Sequence, residues 1–195
     1  MKTDIRRAMR AKRRALSATE QRFAAQRLAM HVIDTRLFRV SQRIACYLPN
    51  DGEIDPSVVL DHIWRSRKHA FLPVLSRLTH DRLWFAEVRP GMALKPNRYG
   101  IPEPQVAARD LVRAQAIDLV LLPLVAFDAR GNRVGMGGGF YDKSLAFLRH
   151  RKHLRKPHLI GLAHDFQRVP ELPADPWDVP LDGIATDSAV YFARP

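Results

Sequence analysis

The sequence predicts an α/β fold, in which a β-sheet is flanked by helices and preceded by two N-terminal helices. Two observations lead to this prediction. From residue 43 onward, short apolar runs alternate with polar or helical stretches, which is typical of strands alternating with helices. The first forty residues carry helix signals instead. A length of 195 residues with 46% hydrophobic content suits one domain spanning 1–195 with its own core.

The second N-terminal helix is marked by its start and by its apolar face. Ser17 followed by Glu20 matches the capping-box pattern, so a helix is predicted to begin at Ser17. Ala24, Leu28 and Val32 then recur every four residues. This spacing forms an apolar stripe that should pack against the core.

The first helix carries cations along one face. Lys2, Arg6, Arg10 and Arg13 are spaced four, four and three residues apart, which places them on the same side. We call these four residues the cationic ridge. With a formal net charge of +12, the chain should attract polyanions such as nucleic acid, nucleotides or polyglutamylated substrates. Because the arginines are spread through the whole chain, a solvated basic surface is favoured over a nucleic-acid interface.

Six apolar runs are predicted to be strands, namely residues 44–48, 70–74, 83–88, 119–124, 159–163 and 183–186. Helical connectors are predicted at 56–67 and 140–151, and the proline-rich stretches 90–104 and 170–180 should form ordered loops. In open α/β sheets, ligands bind at the carboxyl ends of strands. The loops after Leu48, Pro73 and Pro123 are therefore where a site is expected.

Bulk features exclude several classes of protein. The apolar stretch 117–127 is too short to span a membrane, and the basic N-terminus lacks a following apolar segment typical of a signal peptide. The single cysteine, Cys46, excludes a disulfide framework or a cysteine-based zinc site within one chain. We expect Cys46 to be a buried structural thiol. These features predict a cytoplasmic monomer without a membrane partner.

The most informative stretch contains four glycines within five residues, between a predicted buried strand and a predicted helix. Gly135, Gly137, Gly138 and Gly139 would let the backbone approach an anion closely, and the next helix would present free N–H groups. Phosphate is the expected ligand. The loop is not a Walker A sequence, and Phe140 in the sixth place excludes the dinucleotide pattern G-x-G-x-x-G.

The residues that flank the glycines distinguish a nucleotide site from a flexible surface turn, which is the alternative interpretation of such a cluster. Arg133 precedes the glycines and Asp142 follows them. Arginine is suited to phosphate oxygens, and a carboxylate is suited to Mg²⁺. Together these residues favour a nucleotide site.

This stretch resembles the signature of the 5-formyltetrahydrofolate cyclo-ligase family. Residues 133–142 follow the pattern Arg-x-Gly-x-Gly-x-Gly-x-Tyr-Asp, and residues 123–131 follow Pro-x-x-x-Phe-Asp-x-x-Gly. Matches in the family's order extend along nearly the whole chain: Lys2 and Arg6, 47–48 with 53–54, 100–104, 160–163, and Asp178 with Asp182. The resemblance implies an ATP-dependent ligase that cyclises a formylated folate. It also implies a single-domain three-layer sandwich with a mostly parallel, Rossmann-like central sheet.

The resemblance further implies roles for individual residues. Arg133, Lys2 and Arg6 would be the catalytic cations that hold the triphosphate and stabilise its charge. The ATP site would consist of these three and of Val134, Gly135, Met136, Gly137, Gly138, Gly139, Phe140 and Tyr141. The magnesium ligands would be Asp142 and Asp178. Taken singly, Asp142 could instead cap a helix and Asp178 could form an Asx turn.

The folate substrate would contact Leu48, Glu53, Tyr99 and the stretch 136–140. The Glu53 carboxylate is suited to accept hydrogen bonds from the pterin amino and ring N–H groups. Met136 and Lys143 depart from the commonest family pattern. Two alternative functions are a paralogue acting on a thiamine-related formylamino compound and a basic nucleic-acid-binding protein. Glu53 and Tyr99 favour folate, and the lack of an RNP, KH or zinc-finger pattern disfavours nucleic acid.

Overall fold

The computed structural model describes residues 1–76, 81–151 and 156–192. Its α-helices are α1 (Lys2–Arg14), α2 (Ala18–Asp34), α3 (Arg36–Val40), α4 (Ser57–Arg65) and α5 (Phe140–Leu145). The predicted capping box is present: the Ser17 hydroxyl accepts from the Glu20 backbone N–H, and the Glu20 carboxylate accepts from the Ser17 N–H at 2.7 Å. The predicted connector 140–151 is α5 followed by a 3₁₀ helix, Ala146–His150.

The strands are β1 (Arg43–Ala45), β2 (His69–Leu75), β3 (Leu83–Val88), β4 (Leu94–Pro96), β5 (Pro102–Pro104), β6 (Leu111–Val112), β7 (Leu119–Pro123), β8 (Ala126–Phe127), β9 (Arg133–Val134), β10 (His158–Ala163), β11 (Gly183–Thr186) and β12 (Val190–Phe192). All six predicted strands are present, although β1 is shorter than the predicted run. The sequence did not predict the remaining strands. They have only two or three residues, too few for a period-2 pattern to emerge.

The main sheet has the strand order β12-β11-β10-β7-β1-β2-β3-β6. The five strands from β11 to β2 pair in parallel, and the pairings at both edges are antiparallel. This arrangement confirms the mostly parallel sheet. Two antiparallel hairpins, β4-β5 and β8-β9, lie outside it.

Central strand β7 shows why the fold has three layers. Its leucines alternate between two hydrophobic clusters: Leu119 and Leu121 pack with Leu28 of α2, whereas Leu122 packs with Leu145 of α5. Because side chains of a strand alternate between faces, helices must cover the sheet on both sides. Among the described residues, no helix has the length and apolar character that crossing a membrane would require.

Candidate active site

A cleft of about 900 Å³ opens at the carboxyl ends of β1, β2 and β7. Its wall includes Leu48, Pro73 and Pro123, so all three positions singled out from the sequence reach it, but Pro73 lies within β2 and no loop begins there, because its partner strand β3 continues beside it. The parallel centre of the sheet explains this convergence, because the carboxyl ends of neighbouring parallel strands lie at the same edge.

The cationic ridge of α1 faces this region of the protein rather than solvent alone. Lys2 and Arg6 line the cleft, and the Arg13 side chain is fully buried. Arg6 Nε donates to the Gly135 carbonyl at 2.8 Å, which ties α1 to the glycines. Three of the four ridge residues therefore face the cleft or the core, while Arg10 is 38% exposed.

The glycine loop, residues 135–139, leaves the β8-β9 hairpin and leads into α5. The turn of this hairpin is organised by the buried carboxylate of Asp128, which accepts hydrogen bonds from the backbone N–H groups of Arg130 and Asn132 at 2.9 and 3.0 Å. Burial acts to raise the pKa of Asp128, but these and further hydrogen bonds lower it, so the group stays ionised. The loop therefore starts from a rigid turn.

Glycine is required at particular positions of the loop. Gly137 and Gly139 have φ values of 110° and 64°, in the region that side chains disfavour. At Gly138, a Cβ atom would lie 2.5 Å from the Phe140 ring, so the ring packs directly over the backbone. All five loop residues line the cleft, so the loop backbone borders the space that a phosphate would occupy.

Arg133 lies at the start of the loop and is anchored by α5. Its guanidinium donates to Asp142 Oδ1 at 2.5 Å and also to the Val179 carbonyl, and only 7% of the side chain is exposed. Burial lowers the pKa of Arg133, while the charges of Asp142 and Asp178 act in the opposite direction. Arginine remains protonated in such surroundings, so the site holds a fixed positive charge.

The two aspartates predicted to be metal ligands both line the cleft, and both contact cations. Asp142 pairs with Arg133, and Asp178 Oδ2 lies 3.7 Å from Lys2 Nζ. Asp175, which the sequence reasoning missed, accepts a hydrogen bond from Lys2 at 2.5 Å. Within the described ranges, no three His, Cys, Asp or Glu side chains converge as a metal site. The donor set thus suits an ion that takes further ligands from nucleotide and water, which is how Mg²⁺ is usually bound.

The residues predicted to contact folate line the same cleft. Glu53 Oε2 accepts from the Asn50 backbone N–H at 3.1 Å. Burial raises the pKa of Glu53 to about 7, although the Asn50 N–H and the Arg13 charge act to lower it. The Tyr99 ring is half exposed and lies edge-on to Phe140, with centroids 6.0 Å apart. Leu48 completes a wall of apolar and aromatic side chains beside the Glu53 carboxyl group.

Several further cleft residues were not singled out from the sequence. Tyr47 is buried beside Leu48 and donates its hydroxyl to the Ile54 carbonyl at 2.8 Å, while Trp177 is 60% exposed beside Asp178. Tyr47 belongs to the matched stretch 47–48 but was given no role there, and the only signal for Trp177 was its position next to Asp178. Cys46 is buried, and burial raises the pKa of its thiol to about 12, in agreement with the expected structural role.

Comparison with known proteins identifies the family. Residues 1–187 match the sequence profile of the 5-formyltetrahydrofolate cyclo-ligase family. The chain belongs to the 5-formyltetrahydrofolate cyclo-ligase family. The match spans every residue assigned above to the cleft, from Lys2 to Asp178, so the family's signature and the cleft coincide.

Individual cyclo-ligases are similar over nearly their full lengths. The chain is 37% identical to the 5-formyltetrahydrofolate cyclo-ligase of Escherichia coli K12 over 183 residues, covering 94% of this chain and 98% of that protein. It is 37% identical to the enzyme of Haemophilus influenzae over 180 residues, covering 92% and 94%. The NMR structure of Aquifex aeolicus 5,10-methenyltetrahydrofolate synthetase superimposes with a TM-score of 0.81 at 29% identity, covering 100% of this chain and 93% of that one.

Proposed function

We propose that this protein is a cyclo-ligase that converts 5-formyltetrahydrofolate to 5,10-methenyltetrahydrofolate and consumes ATP, releasing ADP and phosphate. The observation that carries the proposal is the convergence of two sets of residues on one cleft. A cationic, glycine-rich end suits a triphosphate, and an end lined by apolar and aromatic side chains with the carboxyl groups of Glu53 and Glu103 suits a pterin. This pairing is what a phosphoryl transfer to a folate requires.

At the nucleotide end, Lys2, Arg6 and Arg133 would neutralise the triphosphate. The backbone N–H groups of the glycine loop would hold its oxygens, since four of the five loop residues are glycines that allow a close approach. Lys2 and Arg6 are brought to the loop by α1, and the Arg6 contact with Gly135 fixes their distance from it. These cations come from the start of the chain and the loop from its second half, so folding assembles the site.

Mg²⁺ fits the acidic side of this end. Asp142 and Asp178 would hold the ion together with nucleotide oxygens and water, as is common for Mg²⁺. When bound, the ion would screen the negative charge of the triphosphate. Arg133 contributes from the protein side by holding Asp142 in place at 2.5 Å.

At the other end, Leu48, Glu53 and Tyr99 would bind the pterin. The Glu53 carboxylate would accept hydrogen bonds from the amino group and a ring N–H, and Tyr99 would pack on the ring system. Because Tyr99 also contacts Phe140 at the end of the glycine loop, the two substrates would meet beside that loop. The formyl group would then lie next to the γ-phosphate.

The reaction needs activation of a formamide, whose carbonyl is a poor electrophile because nitrogen donates into it. The formyl oxygen attacks the γ-phosphorus and ADP leaves, which turns the carbonyl oxygen into a phosphate leaving group. N10 then attacks the formyl carbon and loses its proton, and inorganic phosphate departs with the C–O bonding electrons. No protein nucleophile is required, so the residues act through positioning and charge, with Arg133, Lys2 and Arg6 stabilising the transferred phosphoryl group.

An absorbance assay tests the proposal directly. Purified protein mixed with 5-formyltetrahydrofolate, ATP and Mg²⁺ should produce the absorbance of 5,10-methenyltetrahydrofolate with one phosphate released per product. Omitting ATP should abolish product formation. Absence of product with all three components present would contradict the proposal, and turnover of a thiamine-related formylamino compound in its place would favour the paralogue.

We also propose that residues 1–195 form one domain that acts as a cytoplasmic monomer. All the cleft residues named above come from a single chain, which supports a monomeric active unit. Cys46 is a free, buried thiol, which suits a reducing compartment. Light scattering of the purified protein tests the oligomeric state. Nucleic acid is not an expected partner, because Lys2, Arg6 and Arg13 are directed at the cleft and the core.

A further inference from the structure

Arg13, the last residue of the cationic ridge, has no role in the reaction described above, yet it is fully buried. Its side chain has an exposure of 0%, whereas those of Arg10 and Arg14 on the same helix are 38% and 58% exposed. A buried guanidinium loses its hydration, which costs several kcal/mol unless partners compensate. Its location therefore calls for a physical explanation.

The Arg13 guanidinium contacts three separate segments of the cleft wall. It donates to Asp51 Oδ2 at 3.2 Å and to the Leu124 carbonyl at 3.4 Å, and it lies 3.8 Å from Met136 Sδ. Leu124 follows β7, Met136 belongs to the glycine loop, and Asp51 belongs to the turn that carries Glu53. Among the described residues, its Nε has no hydrogen-bond partner.

The turn at residues 50–53 is held against Arg13 in two ways. Asp51 forms the ion pair, and it also accepts from Arg10 and Arg14. Gly52 packs against the Arg13 backbone so closely that a Cβ atom there would lie 3.0 Å from the Arg13 carbonyl carbon. Both residues immediately before Glu53 are therefore fixed to α1, the helix that also supplies Lys2 and Arg6.

Few charged groups act on Glu53, because His164, which interacts with the Gly52 backbone and with Arg13, has its pKa lowered by burial and is neutral at pH 7. Arg13 supplies a positive charge and Asp51 a negative one. The phenols of Tyr47 and Tyr141 also interact with Glu53, and burial raises the pKa of each, so both are neutral. Arg13 is thus the cation in this set that favours the ionised form of Glu53.

Stability alone does not explain a buried charge at this position. An apolar side chain of similar length could fill the same volume, and replacing buried ion pairs by apolar groups is often neutral or stabilising. We propose that Arg13 is a positioning residue for the folate subsite, which fixes the Glu53 turn against α1 and the glycine loop. The proposal rests on the proposed function, because it takes Glu53 as the acceptor of hydrogen bonds from the pterin.

The proposal predicts how folate affinity depends on pH. If the charged form of Glu53 binds, the dissociation constant rises as pH falls through the Glu53 pKa, which is raised to about 7. For the wild type, binding should then be about tenfold weaker at pH 6 than at pH 8. Arg13→Gln removes a nearby positive charge, so the midpoint should move up by about one unit and binding at pH 7 should weaken about fivefold.

The experiment is calorimetric titration of 5-formyltetrahydrofolate, without nucleotide, from pH 6 to 9. Wild type, R13Q, E53Q and the matched control R14Q are compared, since Arg14 pairs with the same aspartate but is 58% exposed. We expect the dissociation constant of R14Q to depend on pH as that of the wild type does. The midpoint of this dependence should be higher in R13Q, and E53Q should show no transition near pH 7. A residue that only supported the fold would weaken binding without moving the midpoint.

The outcomes separate the inference from the function on which it rests. Wild-type protein that does not bind 5-formyltetrahydrofolate at any pH would contradict the proposed function. Binding with an unchanged midpoint in folded R13Q would overturn the role of Arg13 alone. If circular dichroism shows that R13Q does not fold, Asp51→Asn carries the test, because it removes the ion pair that ties the Glu53 turn to Arg13 and should weaken folate binding even above the midpoint. Wild-type affinity of folded D51N at pH 9 would then overturn the inference.

Discussion

Replacing Arg133 by glutamine tests the nucleotide end of the site most directly. The side chain is 7% exposed, donates to Asp142 at 2.5 Å and to the Val179 carbonyl, and would contact the triphosphate. Glutamine keeps a hydrogen-bond donor but removes the charge. Loss of one such transition-state contact typically lowers kcat by about 10²–10³, equivalent to about 2.7–4 kcal/mol. We expect R133Q to lose activity by a factor in this range.

R133Q will also lose stability, and this loss can be separated from the loss of catalytic activity. Asp142, with 27% of its side chain exposed, would lose its charged partner at a cost of about 1–3 kcal/mol. A domain that starts with about 5 kcal/mol of stability would still be more than about 90% folded after losing 3 kcal/mol. Unfolding therefore cannot produce a hundredfold loss of turnover.

The assay is the initial rate of 5,10-methenyltetrahydrofolate formation at saturating substrates, with urea unfolding measured in parallel. Arg130→Gln is the matched control, since Arg130 lies on the same hairpin, pairs with Glu171 and is 63% exposed. R130Q should have a free energy of unfolding within about 0.5 kcal/mol of the wild type and the same initial rate. A turnover of R133Q within threefold of the wild type would refute the assigned role.

Three further predictions concern stability. Because burial raises the pKa of Glu53 from 4.5 to about 7, folding favours its protonated form, and this contribution is lost as pH rises from 4.5 to 7. In urea titrations, the free energy of unfolding of E53Q relative to the wild type should increase by about 2 kcal/mol between pH 4.5 and 7, after allowance for water in the cleft. A difference that does not change with pH would contradict the assigned pKa. Gly138→Ala places a Cβ 2.5 Å from Phe140 and should lower the free energy of unfolding by about 1–3 kcal/mol. The Cβ of Gly135→Ala meets no atom within 4 Å, so this variant should be nearly as stable as the wild type. Equal unfolding midpoints for the two variants would count against this packing. Cys46 is buried with its thiol pKa raised to about 12, so it should resist alkylation until urea unfolds the chain, and rapid labelling of the native protein would disprove its burial.

The sequence predicted those parts of the fold in which local pattern and final environment agree. The apolar run that became β7 is buried on both faces, so its composition alone indicated a central strand. Ser17 and Glu20 satisfy each other's backbone groups within one turn, so no distant residue was needed to predict the start of α2.

Residues 94–104 illustrate why other parts could not be predicted. Three prolines indicated a loop, yet β4 and β5 pair there. The hairpin is held by Asn97, whose side-chain oxygen accepts from the N–H groups of Tyr99 and Ile101 at 2.8 and 3.1 Å. This turn chemistry also sets the position of Tyr99 in the cleft, so the site depends on it.

Arg13 shows how far site residues can be predicted from the sequence. Helical spacing correctly placed it on one face with Lys2 and Arg6, but a charged face is normally expected to be solvated. Its burial depends on Asp51, a residue from a different element whose approach only the folded chain reveals. Patterns along one helix can thus identify which residues share a face, whereas the environment of that face is set by tertiary contacts.

The charge balance of the cleft explains why a divalent cation is expected in the proposed reaction. Lys2 and Arg133, two of the cations assigned to the triphosphate, already pair with Asp175 and Asp142, and Asp178 lies 3.7 Å from Lys2. A triphosphate that entered alone would compete with these carboxylates for the same cations and would add negative charge beside them. An ion held by Asp142 and Asp178 would remove this conflict, because it would balance these carboxylates while Lys2 turned to the phosphate oxygens and Arg133 continued to hold Asp142. In the proposed reaction, the need for a cation would follow from the same ion pairs that position the site.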